Sequence, residues 1–470
     1  MQFELGLNVQ PVDVLLQRSV LNNSEAATAN TPDEILALIF EACMQLDHDD
    51  RKEHYGDLVS HISHRWRSVA LATAGLWTQI RYCDYPVTTL MERVTAYFHR
   101  SKLAPVDIRV EMSHRDHHLP PTLFQHLIDH IGHCRRLCFV NMTGDTLESL
   151  LRQIALQPEA SLLRSFQISK YRGYLSNMPS LPGSTIEFLA PHLRIMVLDE
   201  IAVNDVHHFF DISANFKSVT HLRLDDIFID EMEFERYAAC RSFLMALPSL
   251  THLELKVDGM VDFPDEHATV LPYLQFLHIE FSYFFSAVKN IIHTIHARSL
   301  QTLSLAGWEK DTRSFTQSSL PVSHFPSLRH LILDGYLATT LLDLQSLGLM
   351  FPSTERLTFQ AQRSPPSGDI DTILLAIVNP LSRISSATGE SVLWYKLQSI
   401  AVSTAQAPLD GEFLHELIHD WKKSGHPLDK LFIPRSCMAQ AGAKGMMKLR
   451  KLVDIEDFRA EPAILIKDMY

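Results

Sequence analysis

Histidine is the residue type with the most chemical potential in this sequence. There are 25 histidines, and His126, His130 and His133 recur at spacings that share one helical face. His114, His117 and His118 precede them, and Cys134 and Cys138 follow. Imidazole and thiolate are the ligand types that bind zinc. The paired Cys-x2-Cys and His-Glu-x-x-His spacings that fix such an ion are missing, however, and histidines at helical spacing usually line a polar surface. The sequence also has no glycine-rich phosphate loop, no Gly-x-Ser-x-Gly elbow and no kinase signature, and it holds only 17 glycines. The residues therefore predict no catalytic centre, no metal and no cofactor. A hydrolase or metalloprotein centred on the irregular C-terminal part is the least favoured class.

With chemistry set aside, the remaining signals are architectural. A chain of 470 residues exceeds one ordinary hydrophobic core, which stops growing at about 250–300 residues. Hydrophobic residues make up 46% and charged residues 21%, so most of the chain is expected to fold. A formal charge of −13 opposes binding by phosphate neutralisation, and nucleic acid is not an expected partner. Six scattered cysteines are read as reduced thiols. The start MQFELGLNVQPVDVLLQRSV lacks a basic segment followed by an apolar one, and no run reaches the roughly 18 apolar residues of a membrane span. The expectation is a protein without membrane contact, cytoplasmic or nuclear or both.

Residues 1–30 form an N-terminal segment ending in the polar linker LNNSEAATANT, which runs to Thr31. In TPDEILALIFEAC, Thr31 is a candidate N-cap, Pro32 a first helical residue and Glu34 the partner in a capping box. Ile35, Leu36, Ile39, Phe40 and Cys43 then make one apolar face. After a charged connection over 45–57, Val59, Ile62, Trp66, Val69 and Ala70 predict a second helix of about four turns. Two helices in about 50 residues cannot bury both apolar faces, so some of that surface must meet another domain or another protein.

TPDEILALIFEAC, LVSHISHRWRSVA and GLWTQI together resemble an F-box, in the version common in fungal F-box proteins. In that family a Leu-Pro pair opens the first helix, Glu-Ile-Leu and Ile-Phe follow, and Val-Ser and an Arg- and Trp-rich run come before Leu-Trp. Here Thr31 stands in place of the usual Leu. The resemblance covers 31–80. It implies docking to the small adaptor subunit of a cullin–RING ubiquitin ligase, and through it to the cullin scaffold. By position, Pro32, Ile35, Leu36 and Ile39 would face the adaptor with Val59 and Ser60 nearby, while Trp66 and Trp77 would pack internally.

Downstream, one motif recurs: FKSVTHLRLDDI, LPSLTHLELKV, LPYLQFLHIEF, ARSLQTLSLAGW, FPSLRHLILDGY and FPSTERLTFQA, with weaker copies on both sides. Their first core positions are Leu137, Phe166, Met196, Leu222, Leu253, Leu277, Leu303, Leu331, Leu357, Ile400 and Leu431. Ile108 and Ile80 extend the series backwards. Most steps lie within or just above the roughly 20–29 residues of a leucine-rich repeat. The one wide step, from Leu357 to Ile400, contains the turn-rich AQRSPPSGD and the apolar IDTILLAIVNPLSRI.

The predicted fold class is α/β. An F-box-like helical module would precede a leucine-rich-repeat solenoid over 81–435, with parallel strands on a concave face and helices on a convex face. An insertion is expected around 361–390, and 436–470 would be a C-terminal cap or tail. Residues flanking the core leucines would point to the concave face, where a mixed-charge, partly aromatic surface suits protein recognition. Arg223, His252, Glu254, Phe276, His278 and Trp308 are the candidate target contacts. The function expected is a non-catalytic substrate-recognition adaptor of an SCF-type ubiquitin ligase, holding an unidentified target protein. The alternative is a leucine-rich-repeat scaffold unrelated to ubiquitin, whose first helices only cap the array.

Overall fold

The computed structural model describes residues 28–46, 54–83, 90–112, 119–142, 144–156, 160–170, 190–199, 216–228, 234–259, 268–281, 291–306, 324–334, 347–348, 350–360, 394–403, 410–423, 427–440 and 442–458. The chain forms two compact units, Met1–Leu137 and Cys138–Tyr470.

The first unit opens with α1 (Asp33–Leu46), α2 (Tyr55–Ser60) and α3 (His64–Ala72), followed by a 3-10 turn at Ala74–Trp77. β1 (Gln79–Cys83), α4 (Leu90–Ser101), β2 (Val106–Glu111) and α5 (Pro121–His130) follow. The single long helix expected after residue 57 is instead two. Ser63 breaks it, because its side chain accepts the Trp66 N–H and starts a new helix after the turn at His61 and Ile62. The unit also extends well past residue 80. α4 packs on β1 and on the 3-10 turn, and β1 pairs parallel with β2, Ile80 opposite Ile108.

The boundary between the units falls within β3 (Cys134–Met142), after which comes α6 (Gly144–Ala155). The second unit is dominated by a large parallel sheet. Its strands are β4 (Ser165–Lys170), β5 (Ile195–Asp199), β6 (His221–Phe228), β7 (His252–Gly259), β9 (Phe276–Phe281), β11 (Thr302–Ala306), β12 (His330–Asp334), β13 (Arg356–Gln360), β14 (Ser399–Val402), β15 (Lys430–Ile433) and β16 (Asp454–Asp457). β8 (Thr269–Val270) and β10 (Ile295–His296) form a separate short parallel pair. The helices described in this unit are α7 (Phe234–Met245), α8 (Gly411–Lys423), α9 (Arg435–Gln440) and α10 (Ala443–Leu449) besides α6.

Chain order is sheet order. Phe166, Met196, Leu222, Leu253, Leu277, Leu303, Leu331, Leu357, Ile400 and Leu431 stand side by side at one register position, all buried. From β4 to β14, each strand that carries a core position is preceded by the same tight turn. The residue three before the core position donates its N–H to the carbonyl six before, as Val219 does to Phe216, Leu250 to Leu247, and Leu328 to Phe325. Both turn residues of these strands are buried, so positions −6, −3, 0 and +2, apolar except at Thr354, enter one continuous core.

The sheet continues across the wide step and past residue 435. β13 and β14 pair directly despite the long step between them, so the ladder runs on unbroken; residues 361–393 lie outside the described residues. The array also continues past 435, because Ile455 of β16 takes the same register position opposite Leu431. Part of the segment expected to be a cap or tail is therefore strand.

Candidate functional site

α1 carries two apolar stripes rather than one. Leu36 and Phe40, at 0% and 1% exposure, turn inward, and the Phe40 ring meets Trp66 at 4.8 Å between centroids. Ile35, Leu38 and Ile39 stay 45%, 60% and 44% exposed at i, i+3 and i+4, so they form an outward stripe. Pro32 is exposed at its start. Of the six residues assigned to docking, Pro32, Ile35 and Ile39 thus lie on the open side. Leu36, Val59 and Ser60 are interior, with the Ser60 hydroxyl donating to the Asp57 carbonyl at 2.8 Å. The correction has a geometric cause: at about 100° per residue, Leu38 widens the apolar arc of α1 to roughly 200°, more than one packed side can cover. The apolar side chains exposed around α2 are Leu58 and Ile62, which the helical pattern had not singled out for docking.

Arg65 fixes the start of this stripe. Its guanidinium donates to the carbonyls of Thr28 at 3.0 Å and Ala29 at 2.7 Å, to that of Thr31, and to the Asp33 carboxylate at 2.9 and 2.7 Å. A planar fork with five donors suits such a set of converging acceptors. The Pro32 carbonyl accepts from Ile35 and Leu36, so the helix begins at Asp33, one residue later than the sequence suggested. No sequence pattern flagged Arg65, since its acceptors are mostly backbone oxygens more than 30 residues away.

The base of the module is an aromatic stack. Trp77 is buried and its Nε1 donates to the Ala70 carbonyl at 2.8 Å. His54 lies against Trp77 and Tyr97 at centroid distances of 5.5 and 4.2 Å, and the Arg100 guanidinium sits 4.3 Å over Trp77. Burial pushes the His54 imidazole down to about 4, and burial together with the hydrogen bond to Asp57 raises the Tyr97 phenol.

On the sheet face opposite the core leucines, the expectation of an open mixed-charge surface is overturned at most named positions. Arg223 and Glu254 are only 4% and 2% exposed, and Phe276 and His278 are also buried. Arg223 grips both Asp225 oxygens at 2.8 Å and reaches Glu254 at 3.1 Å, a buried charge network. His278 shares a 2.9 Å hydrogen bond with Ser304. His252 is half-buried, its ring stacked on His221 at 4.1 Å and facing Phe276 at 5.7 Å. Burial lowers both imidazoles, His221 to about 4. Trp308 lies outside the described residues. Strand alternation predicts which face a side chain takes, but it says nothing about how deeply that face is buried.

His126 and His130 stack on Phe98 at 5.1 and 4.6 Å, and His130 Nδ1 is 3.0 Å from His133 Nε2. Among the described residues, no group of three His, Cys, Asp or Glu is placed to hold a metal ion; residues 113–118, with the preceding histidines, lie outside them. Nor is any described helix long and apolar enough to cross a membrane.

Fold and site define an α/β protein with a large parallel sheet laid down in chain order and an N-terminal helical module bearing an exposed apolar stripe. No model of a known protein family matches the sequence, and no curated protein matches it.

Proposed function

We propose that the chain is a non-catalytic substrate receptor of a cullin–RING ubiquitin ligase. In this reading the first unit carries an F-box that docks to the small ligase adaptor, and the parallel array is a leucine-rich-repeat domain that holds a target protein. One observation carries the docking half: Ile35, Leu38 and Ile39 form an exposed apolar stripe on a helix that packs Leu36 and Phe40 inward. Such a stripe on a folded module is costly to leave in water and suits a protein partner. The repeat half is supported by the unbroken register of core residues at leucine-rich-repeat spacing. The receptor would contribute proximity, raising the effective concentration of target lysines near the ubiquitin carrier.

Co-purification of the full chain with the ligase adaptor tests this reading. Wild type is expected to bind, and Leu38→Asp and Ile39→Asp are expected to lose binding while keeping the wild-type melting profile. Failure of the wild type to bind would leave the runner-up, a repeat-built interaction scaffold outside the ubiquitin system.

A further inference from the structure

We propose that the row of turns leading into β4 through β12 is a docking rim for an extended acidic segment, rich in Asp and Glu, of the protein that the array holds. That the occupant belongs to a target rests on the receptor reading; the affinity of the rim for such a segment does not. Three positions of each repeat face solvent here: the two residues inside the tight turn and the residue just after it, at −5, −4 and −2 from the core position. In the seven repeats of β4, β5, β6, β7, β9, β11 and β12 none of these residues is buried. They include five cations, Arg164, Arg194, Lys217, Arg298 and Arg329, and no carboxylate. The chain as a whole has 55 acidic against 42 basic residues, so a row with cations alone runs against its composition.

Among the described residues, Arg164, Arg194, Lys217 and Arg298 have no ion-pair partner. Exposed cations further along the array do: Lys430 pairs with Glu456 at 2.7 Å, Arg435 with Asp457 at 2.8 Å and Lys448 with Glu412 at 2.6 Å. Arg329 lies 3.8 Å from Glu355, where acidic side chains re-enter the row. The backbone beneath the cations is tied from turn to turn. Arg194 N–H donates to the Arg164 carbonyl and Thr220 N–H to the Arg194 carbonyl, both at 2.9 Å, and the same bond recurs as far as Arg329, whose N–H donates to the Gln301 carbonyl at 3.0 Å. The hydroxyls of Ser218 and Ser299 add bonds to the Pro191 and Pro272 carbonyls of the preceding turns, at 2.5 and 2.7 Å. The cations are thus mounted on a frame fixed before any partner arrives, which lowers the ordering cost of binding.

The layout suits a peptide better than a nucleic acid. The cations fall in two groups, Arg164, Arg194 and Lys217 on three adjacent turns, and Arg298 and Arg329 on the last two. Between them Pro248, Pro272 and Tyr273 are exposed and offer apolar contact. Six steps between neighbouring strands of about 4.8 Å carry the rim over about 29 Å, the span of roughly nine extended residues. A segment with carboxylates at both ends and an apolar middle matches this pattern, and guanidinium forks can hold carboxylates by two parallel bonds. A nucleic acid would place phosphates over the neutral middle as well, and would run on past the rim along a chain of net charge −13.

The test measures the fluorescence anisotropy of a fluorescein-labelled oligoglutamate of about ten residues, matched to that span, against the full chain. Wild type is expected to bind, with affinity falling about tenfold between low salt and about 0.3 M salt as exposed pairs are screened. Arg164→Glu combined with Arg194→Glu is expected to weaken binding about tenfold or more. Lys444→Glu combined with Lys451→Glu, two exposed cations on and just after α10, gives the same net charge and is expected to stay within about twofold of wild type. All four side chains are exposed, so both variants are expected to keep the wild-type melting profile. If the rim variant melts early, Arg164→Gln combined with Arg194→Gln replaces it and must still weaken binding. No binding of oligoglutamate by the wild type, or an equal loss in the two double variants, would overturn the rim. Tighter binding of an oligothymidylate of equal charge would overturn the acidic peptide as occupant. None of these outcomes involves the adaptor: failed adaptor co-purification removes the receptor reading, and the peptide titration still decides the rim.

Discussion

Leu36 and Ile39 are three residues apart on α1, and the structure assigns them opposite jobs. Leu36→Asp would bury a carboxylate with no partner in a packed interior, which the module cannot absorb. Its expected outcome is loss of the α1–α3 fold, read as lost helical signal and altered Trp66 and Trp77 fluorescence. Ile39→Asp is expected to leave both unchanged. A second contrast lies in the charge network. Arg223→Ala takes the guanidinium away from two buried carboxylates, Asp225 and Glu254, and is expected to cost about 3–5 kcal/mol, measured by urea unfolding. An exposed pair such as Lys430 with Glu456 should matter far less when Lys430 is replaced by Ala. At this scale the sequence was only half legible. Period-3.6 spacing identified the apolar residues of α1 but could not divide them between two sides, because both stripes have the same residue types. Alternation likewise put Arg223 and Glu254 on the second sheet face, while their burial depends on long-range packing that no local pattern encodes.

The strands were the most legible elements, and the reason is physical. Each core position must face its neighbours in the adjacent strands, so the leucine of one motif predicts the register of the next, and the alignment from Phe166 to Leu431 is the observed pairing. β16 was missed because Asp454-Ile455-Glu456-Asp457 contains one apolar residue, too few for alternation to show. The break between α2 and α3 was missed because apolar spacing continues across it, although Ser63 followed by three good helix positions was a usable cap signal. Ser63→Ala is expected to cost about 0.5–2 kcal/mol in the melting of the first unit. Where α8 and α10 meet, a different constraint applies. A Cβ on Gly445 would lie 2.7 Å from the Gly411 carbonyl carbon and 2.8 Å from the Glu412 nitrogen, both rigid backbone. Gly445→Val is therefore expected to push the two helices apart, with faster amide exchange in 411–423 and 443–449 and no change in the first unit.

For the whole molecule, the buried histidines, most of them outside the cluster that suggested metal chemistry, carry a different consequence. His54, His130, His221 and His330 are each held near 4, chiefly by burial, with neighbouring basic side chains adding to the effect at all four; His133, His252 and His324 are also lowered. An unfolded chain takes up these protons near the ordinary value of 6.5, whereas the folded chain resists until about 4. Between those limits the unfolded state binds more protons, so stability must rise with pH. Above 6.5 both states hold neutral imidazoles and the effect vanishes. As pH falls through the window the folded state loses ground with each histidine, and below about 4 no further loss comes from this source. Because these side chains are distributed over both units, from His54 to His330, the loss should not be confined to one of them. Urea unfolding at pH 7.5, 6.0 and 5.0 is expected to give a falling midpoint. Replacing His54 with Phe, which keeps the ring against Trp77 and Tyr97, should flatten that fall for the first unit, and an unchanged slope would refute its share. An acidic optimum, with stability rising towards pH 5, would contradict the burial that sets all these imidazoles.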